Sequence, residues 1–349
     1  MSLNLTRINK LRREMFREKV DFSLFITPEN LFYFLGSNIE GFLLIPQGNC
    51  KCTFITDARY GLELQNLENR NLKTCVWKKS WLDELTKTFN STGRKKTVSL
   101  EQDLPLRLYF KIQKKINNVR LKVLPLTERL RMIKDTREIE NIRKAVGITK
   151  KTLRIIRSNI LSKTELNIQA MLEFEFRKRG GYGVAFPSIV ASGVKSSFPH
   201  AVPNEHIFRK KDGFILIDCG AKFNGYCADL TRMYFWDRIP KVIKDAYRLI
   251  QEAQKLAVSL VSDGVRVSRL VLEVEGFIEK NGFKNNIAHG LGHGVGINVH
   301  EGPVLSRSSK EILKKGMVIT IEPGLYFPGI GGVRIEDVVL VDKNKGIVL

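Results

Sequence analysis

Between residues 214 and 235 the chain reads FILIDCGAKFNGYCADLTRMYF, two apolar runs on either side of Asn224-Gly225. That pattern predicts a β-hairpin closed by a tight two-residue turn. With this turn Phe223 faces Tyr226, Thr231 lies opposite Asp218, and Asp229 becomes the diagonal neighbour of Asp218 on one face. Diagonal neighbours are about 7–8 Å apart at the backbone, within reach of a shared cation site for two leaning carboxylates. Two readings are open at this point: a metal-binding pair, or an amphipathic hairpin with two solvated Asp residues. Asp218 interrupts the side of the strand that bears Phe214 and Leu216, where an unpaired charge is costly to bury.

Elsewhere the pattern alternates helix and strand. Ile8, Leu11 and Met15 recur at helical spacing and predict an amphipathic helix over 6–20. DFSLFIT, FLLIP and CTFITD read as short strands, separated by breaks at Pro28-Glu29-Asn30 and Pro46-Gln47-Gly48-Asn49. Segment 59–90 reads as largely helical, TVSLE at 97–101 as a strand, and 107–118 as a basic helix. This is the alternation of a small α/β domain, ending near Leu130, with no histidine in it. Asp135 followed by Glu138 then reads as a capping box that opens a second unit. Helical segments over 136–157, 164–179, 240–262 and 267–281 alternate there with strands, so the C-terminal half is α+β. The predicted domains are 1–132 and 133–349.

Composition narrows the class. The 349 residues are 43% hydrophobic and 27% charged, a globular balance. No run approaches the roughly 18–20 apolar residues of a membrane span, and the N-terminus lacks the apolar block of a secretion signal. A cytoplasmic protein is expected. Cysteines 50, 52, 75, 219 and 227 form no C-x-x-C pair, so reduced thiols are expected rather than a disulfide framework. The net charge of +22 raises a nucleic-acid function, but Lys and Arg are scattered rather than gathered in one block, and no specific nucleic-acid partner is expected.

The candidate chemistry lies in the second unit, which holds all five histidines, at 200, 206, 289, 293 and 300. His200 sits in the Pro-flanked loop SSFPHAVP, His206 reads as structural or exposed, and His289 and His293 lie in the Gly-interleaved stretch IAHGLGHGVG. The strand MVITI runs into Glu322-Pro323-Gly324, followed by a Pro/Gly-rich loop, and VRIEDVVLV puts Arg334 and Glu336 on one face by alternation. Asp218, Asp229, Glu322, Glu336 and a single imidazole, His293, form an oxygen-rich set that suits Mn, Fe or Co better than a zinc-finger site. Four carboxylates are neutralised by two divalent cations, and cations so bridged, about 3.5–4 Å apart, acidify a shared water.

The motifs IDCGAKFNGYCADLTR, HGLGHGVG, VHEGP, IEPGLYF and RIED, in this order, resemble those of the pita-bread metallopeptidases, which include methionine aminopeptidase, aminopeptidase P and prolidase. FITDARY at 54–60 is similar to the creatinase-type N-terminal domain of aminopeptidase P and prolidase. The resemblance implies a pita-bread catalytic domain after a smaller α/β domain, with Asp218 on one metal, Asp229 and Glu336 bridging both, and His293 and Glu322 on the other. It also implies substrate-facing roles for His200, His289 and His300, a proton shuttle at Glu322, and supporting roles for Arg334 and Tyr326. The function implied first is an Xaa-Pro aminopeptidase with two divalent ions, Mn before Co or Zn, that attacks the bond before proline with a hydroxide shared by the metals. A homodimer or higher homo-oligomer is expected. The alternatives are an Xaa-Pro dipeptidase (prolidase), a non-catalytic pita-bread binding module, and creatinase-like hydrolysis. Prolidase-like relatives often carry an arginine shortly after the VHE histidine to take the dipeptide carboxylate; here Val304 stands four residues on, with Arg307 nearby.

Overall fold

A computed structural model of the chain describes residues 3–65, 70–90, 95–236 and 238–349. The chain divides into two compact units, Met1–Arg131 and Met132–Leu349.

The first unit is built on a six-stranded mixed sheet, in the order Leu72–Val76, Cys52–Thr56, Phe42–Pro46, Phe22–Phe25, Lys96–Leu100, Val119–Val123. Helix Leu5–Arg17 buries Ile8, Leu11 and Met15, the stripe its periodicity predicts. Two local expectations change, and one strand is added. Pro28 does not interrupt structure but opens the helix Pro28–Leu35, where a residue lacking an N–H and fixed near helical φ suits the first turn. Segment 59–90 is not one helical stretch: strand Leu72–Val76 divides it and pairs in parallel with Cys52–Thr56. Residues 66–69, within that expectation, lie outside the described residues. Strand Val119–Val123 adds a parallel edge that the basic pattern VRLKV conceals.

In the second unit Asp135 and Glu138 close a capping box, and helix Thr136–Arg157 follows. The other long helices are Glu165–Lys178, Lys241–Leu260 and Val267–Lys280. Strand Phe214–Cys219 pairs with Leu230–Phe235, with Thr231 opposite Asp218, and Phe223 faces Tyr226 across the Asn224-Gly225 turn, as the pattern predicts. Strand Ile189–Ser192 flanks this hairpin. A five-stranded sheet runs Glu301–Leu305, Gly292–Gly294, Val318–Ile321, Asp337–Val341, Gly346–Val348. The core joins both sheets to helices: Phe214, Leu216, Ile250, Leu270, Ile319 and Val339 belong to one buried apolar cluster.

Two strand expectations are corrected here. The Pro/Gly-rich segment after Glu322 is a hairpin, Gly324–Phe327 against Gly331–Arg334. VRIEDVVLV is not one strand: the chain leaves that hairpin after Arg334 and enters the five-stranded sheet at Asp337. Ile335 and Glu336 are the corner, where the Ile335 N–H donates to Pro323 O at 3.4 Å and the Glu336 N–H to Thr231 O at 3.3 Å.

Candidate metal centre

Hairpin register, a sheet-switching corner and a strand end deliver the acidic groups to one place. Asp218 and Asp229 are 8% and 5% exposed and Glu336 is 1% exposed, in a chain interior where isolated carboxylates are costly. One ligand atom each from Asp229, His293 and Glu336 lies within 4.8 Å of the others. His293 Nε2 is 3.6 Å from Asp229 Oδ2 and 3.4 Å from Glu322 Oε1. The Gly-rich passage around His293 is a short strand, and its glycines serve close packing: a Cβ on Gly292 would lie 2.2 Å from Thr320 O and one on Gly294 2.0 Å from Gly302 O.

The imidazole is oriented as a metal ligand requires. His293 Nδ1 sits 3.0 Å from Gly294 O, a group that only accepts, so the proton is on Nδ1 and the Nε2 lone pair faces the carboxylates. Burial, and then the charge of His300, whose ring centroid is 4.4 Å away, bring the His293 pKa down to about 4. The carboxylates move the other way. Burial first, then their mutual repulsion, raise Asp229 and Glu336 well above the carboxylate range and Glu322 to about 7.

Arg334, 3% exposed, organises one side. It donates to Asp218 Oδ2 at 2.7 Å, Thr231 Oγ1 at 3.1 Å, Tyr326 Oη at 2.6 Å and Pro199 O at 3.3 Å. Thr231 Oγ1 itself donates a hydrogen bond to Glu336 Oε2 at 2.8 Å. Tyr326 in turn donates to His289 Nε2 at 2.8 Å, while His289 Nδ1 donates to Gly290 O at 2.8 Å. His289 is therefore neutral with a fixed tautomer, and burial together with the Arg334 charge brings its pKa down to about 4. Thr320 Oγ1 accepts from the His293 N–H at 3.0 Å and lies 3.4 Å from Glu322 Oε1. Thr231 and Thr320 had no role in the sequence reading; the only signal was Thr231's register position opposite Asp218.

The remaining candidates differ in setting. His200 is exposed in its loop, and its charge is among those acting on His289. His300 is exposed with its ring edge-on to His293. His206 stays apart, 3.2 Å from Asp212 Oδ2. Val304 pairs with His293 across the sheet and is 62% exposed, and Arg307 is held by Glu275 and, at 2.6 Å, by Glu279.

The set fits divalent cations. Asp218 Oδ1 is buried with no hydrogen-bond partner, although Asp218 Oδ2 is well satisfied by Arg334. A buried carboxylate oxygen without a partner, together with the grouped ligand atoms of Asp229, His293 and Glu336, leaves acceptors that a cation would satisfy. Oxygen donors with one nitrogen are the ligand chemistry of such ions.

Fold and site together define a pita-bread metallopeptidase. The model for metallopeptidase family M24 matches residues 140–343, and the model for the creatinase/prolidase N-terminal domain matches residues 7–133. The chain belongs to metallopeptidase family M24. It is 32% identical to an Xaa-Pro dipeptidase of Pyrococcus furiosus over 97% of this chain and 95% of the relative. Among solved structures, an Xaa-Pro dipeptidase from Bacillus anthracis superposes with a TM-score of 0.92 at 30% identity, over 99% of this chain and 96% of that one. An X-Pro aminopeptidase from Thermotoga maritima does so with a TM-score of 0.85 at 31% identity, over 96% and 97%. Among the described residues, no helix is long and apolar enough to cross a membrane.

Proposed function

We propose that the chain is an Xaa-Pro dipeptidase that hydrolyses the bond before proline, with two divalent cations, Mn before Co or Zn, held by Asp218, Asp229, His293, Glu322 and Glu336. When bound, such a pair polarises the substrate carbonyl and supplies a nucleophilic water near neutral pH. The observation that carries the reading is the convergence of Asp229, His293 and Glu336, supported by the buried and unpartnered Asp218 Oδ1.

The chain's own residues supply position and protons. Glu322, whose Oε1 is 3.4 Å from His293 Nε2, is the carboxyl placed to accept a proton and return it to the departing nitrogen. His300 and His200 donate to the substrate carbonyl and to the oxyanion that develops there. His289, neutral and fixed between Tyr326 and Gly290, faces the leaving group. Arg334 and Thr231 hold Asp218 and Glu336 at their angles.

Dipeptidase stands ahead of the aminopeptidase reading because relatives named Xaa-Pro dipeptidase match nearly the whole chain, from Pyrococcus furiosus in sequence and Bacillus anthracis in structure. One observation favours the aminopeptidase: Val304 cannot grip a substrate carboxylate, and Arg307 is already engaged by Glu275 and Glu279. Hydrolysis of Gly-Pro compared with Gly-Pro-X distinguishes them. The proposal predicts a kcat/KM for Gly-Pro at least about tenfold above that for the tripeptide, a transition-state difference of about 1.4 kcal/mol. A preference for the tripeptide would establish the aminopeptidase. The homo-oligomer that the family resemblance implies is read by light scattering of the same preparation.

A further inference from the structure

His200 is exposed, and among the described residues its ring takes no hydrogen bond, so the backbone of its loop alone sets where the imidazole points. That loop is clipped at several places. Ser196 Oγ donates to Gly193 O at 2.7 Å and accepts from the Gly332 N–H at 2.8 Å, and Arg334 holds Pro199 O. Pro199 and Pro203 stiffen the stretch between.

The deepest clip comes from outside the metal centre. Glu165, the first residue of helix Glu165–Lys178, is 0% exposed. Its Oε1 accepts from the Ser192 N–H at 2.8 Å, and its Oε2 accepts from the Asn204 N–H at 3.2 Å and from the Lys195 ammonium. One carboxylate thus grips both ends of the 192–204 loop and, through Lys195, a third point near its start. Two backbone bonds continue the attachment beyond His200: the Leu166 N–H to Asn204 O at 3.2 Å and the Glu165 N–H to His206 O at 3.1 Å. A carboxylate is the one side chain of this size that offers acceptors to three donors and donates nothing. Its charge also offsets that of Lys195, whose side chain is only 23% exposed.

We propose that Glu165 is a positioning residue for His200, acting through Ser192, Lys195 and Asn204; its catalytic consequence rests on the role given to His200 above. The Glu165→Gln variant keeps the shape but turns an NH2 toward donors. In the full chain, hydrogen exchange at the 192–204 amides accelerates about tenfold or more, while the 214–235 hairpin exchanges as in wild type. With an Xaa-Pro substrate, kcat/KM falls about tenfold or more, since misplacing a reacting group by about 1 Å costs up to ~100-fold. In a His200→Ala background the same change costs less than about twofold. A merely structural role gives equal losses in both backgrounds, and that result, or unchanged exchange at Ser192 and Asn204, overturns the proposal. Should Glu165→Gln not fold, Lys195→Met removes the ammonium alone and is read by the same two measurements. A wild-type chain inactive on every Xaa-Pro substrate would remove the function proposed above, while exchange at 192–204 would still decide whether Glu165 holds the loop.

Discussion

Thr231 shows how much of this site is carried by residues without charge. Its hydroxyl takes a hydrogen bond from Arg334 and gives one to Glu336, so a single oxygen couples the buried cation to a carboxylate that faces His293. Thr231→Val keeps the shape and the strand propensity, and should lower activity or metal affinity by about 10–100-fold, the usual cost of losing such a support; metal titration with kinetics checks it. Charge at the site also gives a pH signature. Asp229, Glu336 and Glu322 bind protons more tightly folded than unfolded, so their contribution to stability is present at low pH and lost as pH rises through their raised values, about 7 for Glu322. His289 and His293, lowered from 6.5 to about 4, act oppositely: their contribution is present above 6.5 and lost as pH falls toward 4. Of these five groups the two histidines have finished titrating above pH 6.5 and Glu322 has not, so metal-stripped protein should lose thermal stability as pH rises from 6.5 through about 7, and added Mn should abolish that slope. A melting temperature that rises with pH across this window would contradict the assignment. Asp218 and His293 were legible in the sequence because the one interrupts an apolar strand face and the other lies in a glycine-interleaved passage. Thr231 and Thr320 were not, since a threonine in a strand is ordinary.

Elements bring these side chains together, and their legibility was uneven. The 214–235 hairpin could be read to the residue because Asn224-Gly225 fixes its turn; both residues take positive φ, 44° and 81°. Gly220 is its hidden constraint. A Cβ there would lie 1.8 Å from Ala228 O, directly beside Asp229, so the two chains cross at a distance only glycine permits. Gly220→Ala should destabilise the protein by about 2 kcal/mol or more through forced separation of the strands, a fall in melting temperature on the order of 5 °C. Calorimetry checks this, and an unchanged transition would show that the hairpin relaxes freely. The corner at Ile335–Glu336 was illegible for a different reason. Alternation in VRIEDVVLV is continuous, and only the competing partners, Gly324–Phe327 and Val318–Ile321, reveal that the chain changes sheets. Strand Leu72–Val76 was missed because LKTCV has no period of its own and gains its place from pairing with Cys52–Thr56.

At the scale of the whole molecule, two units and one acidic centre account for the family membership, and the +22 charge finds no role in the chemistry. The central claim is that five side chains from distant parts of the second unit bind two divalent cations. Elemental analysis after equilibration with Mn and removal of free ion tests it directly, in wild type and in Asp229→Asn. The account predicts about two Mn per wild-type chain, and in the variant a loss of bound metal together with a fall in Xaa-Pro hydrolysis of more than about 100-fold, beyond what loss of a supporting contact costs. Full peptidase activity in a chain that retains no divalent metal, or an Asp229→Asn variant that binds metal and turns over as wild type does, would contradict it.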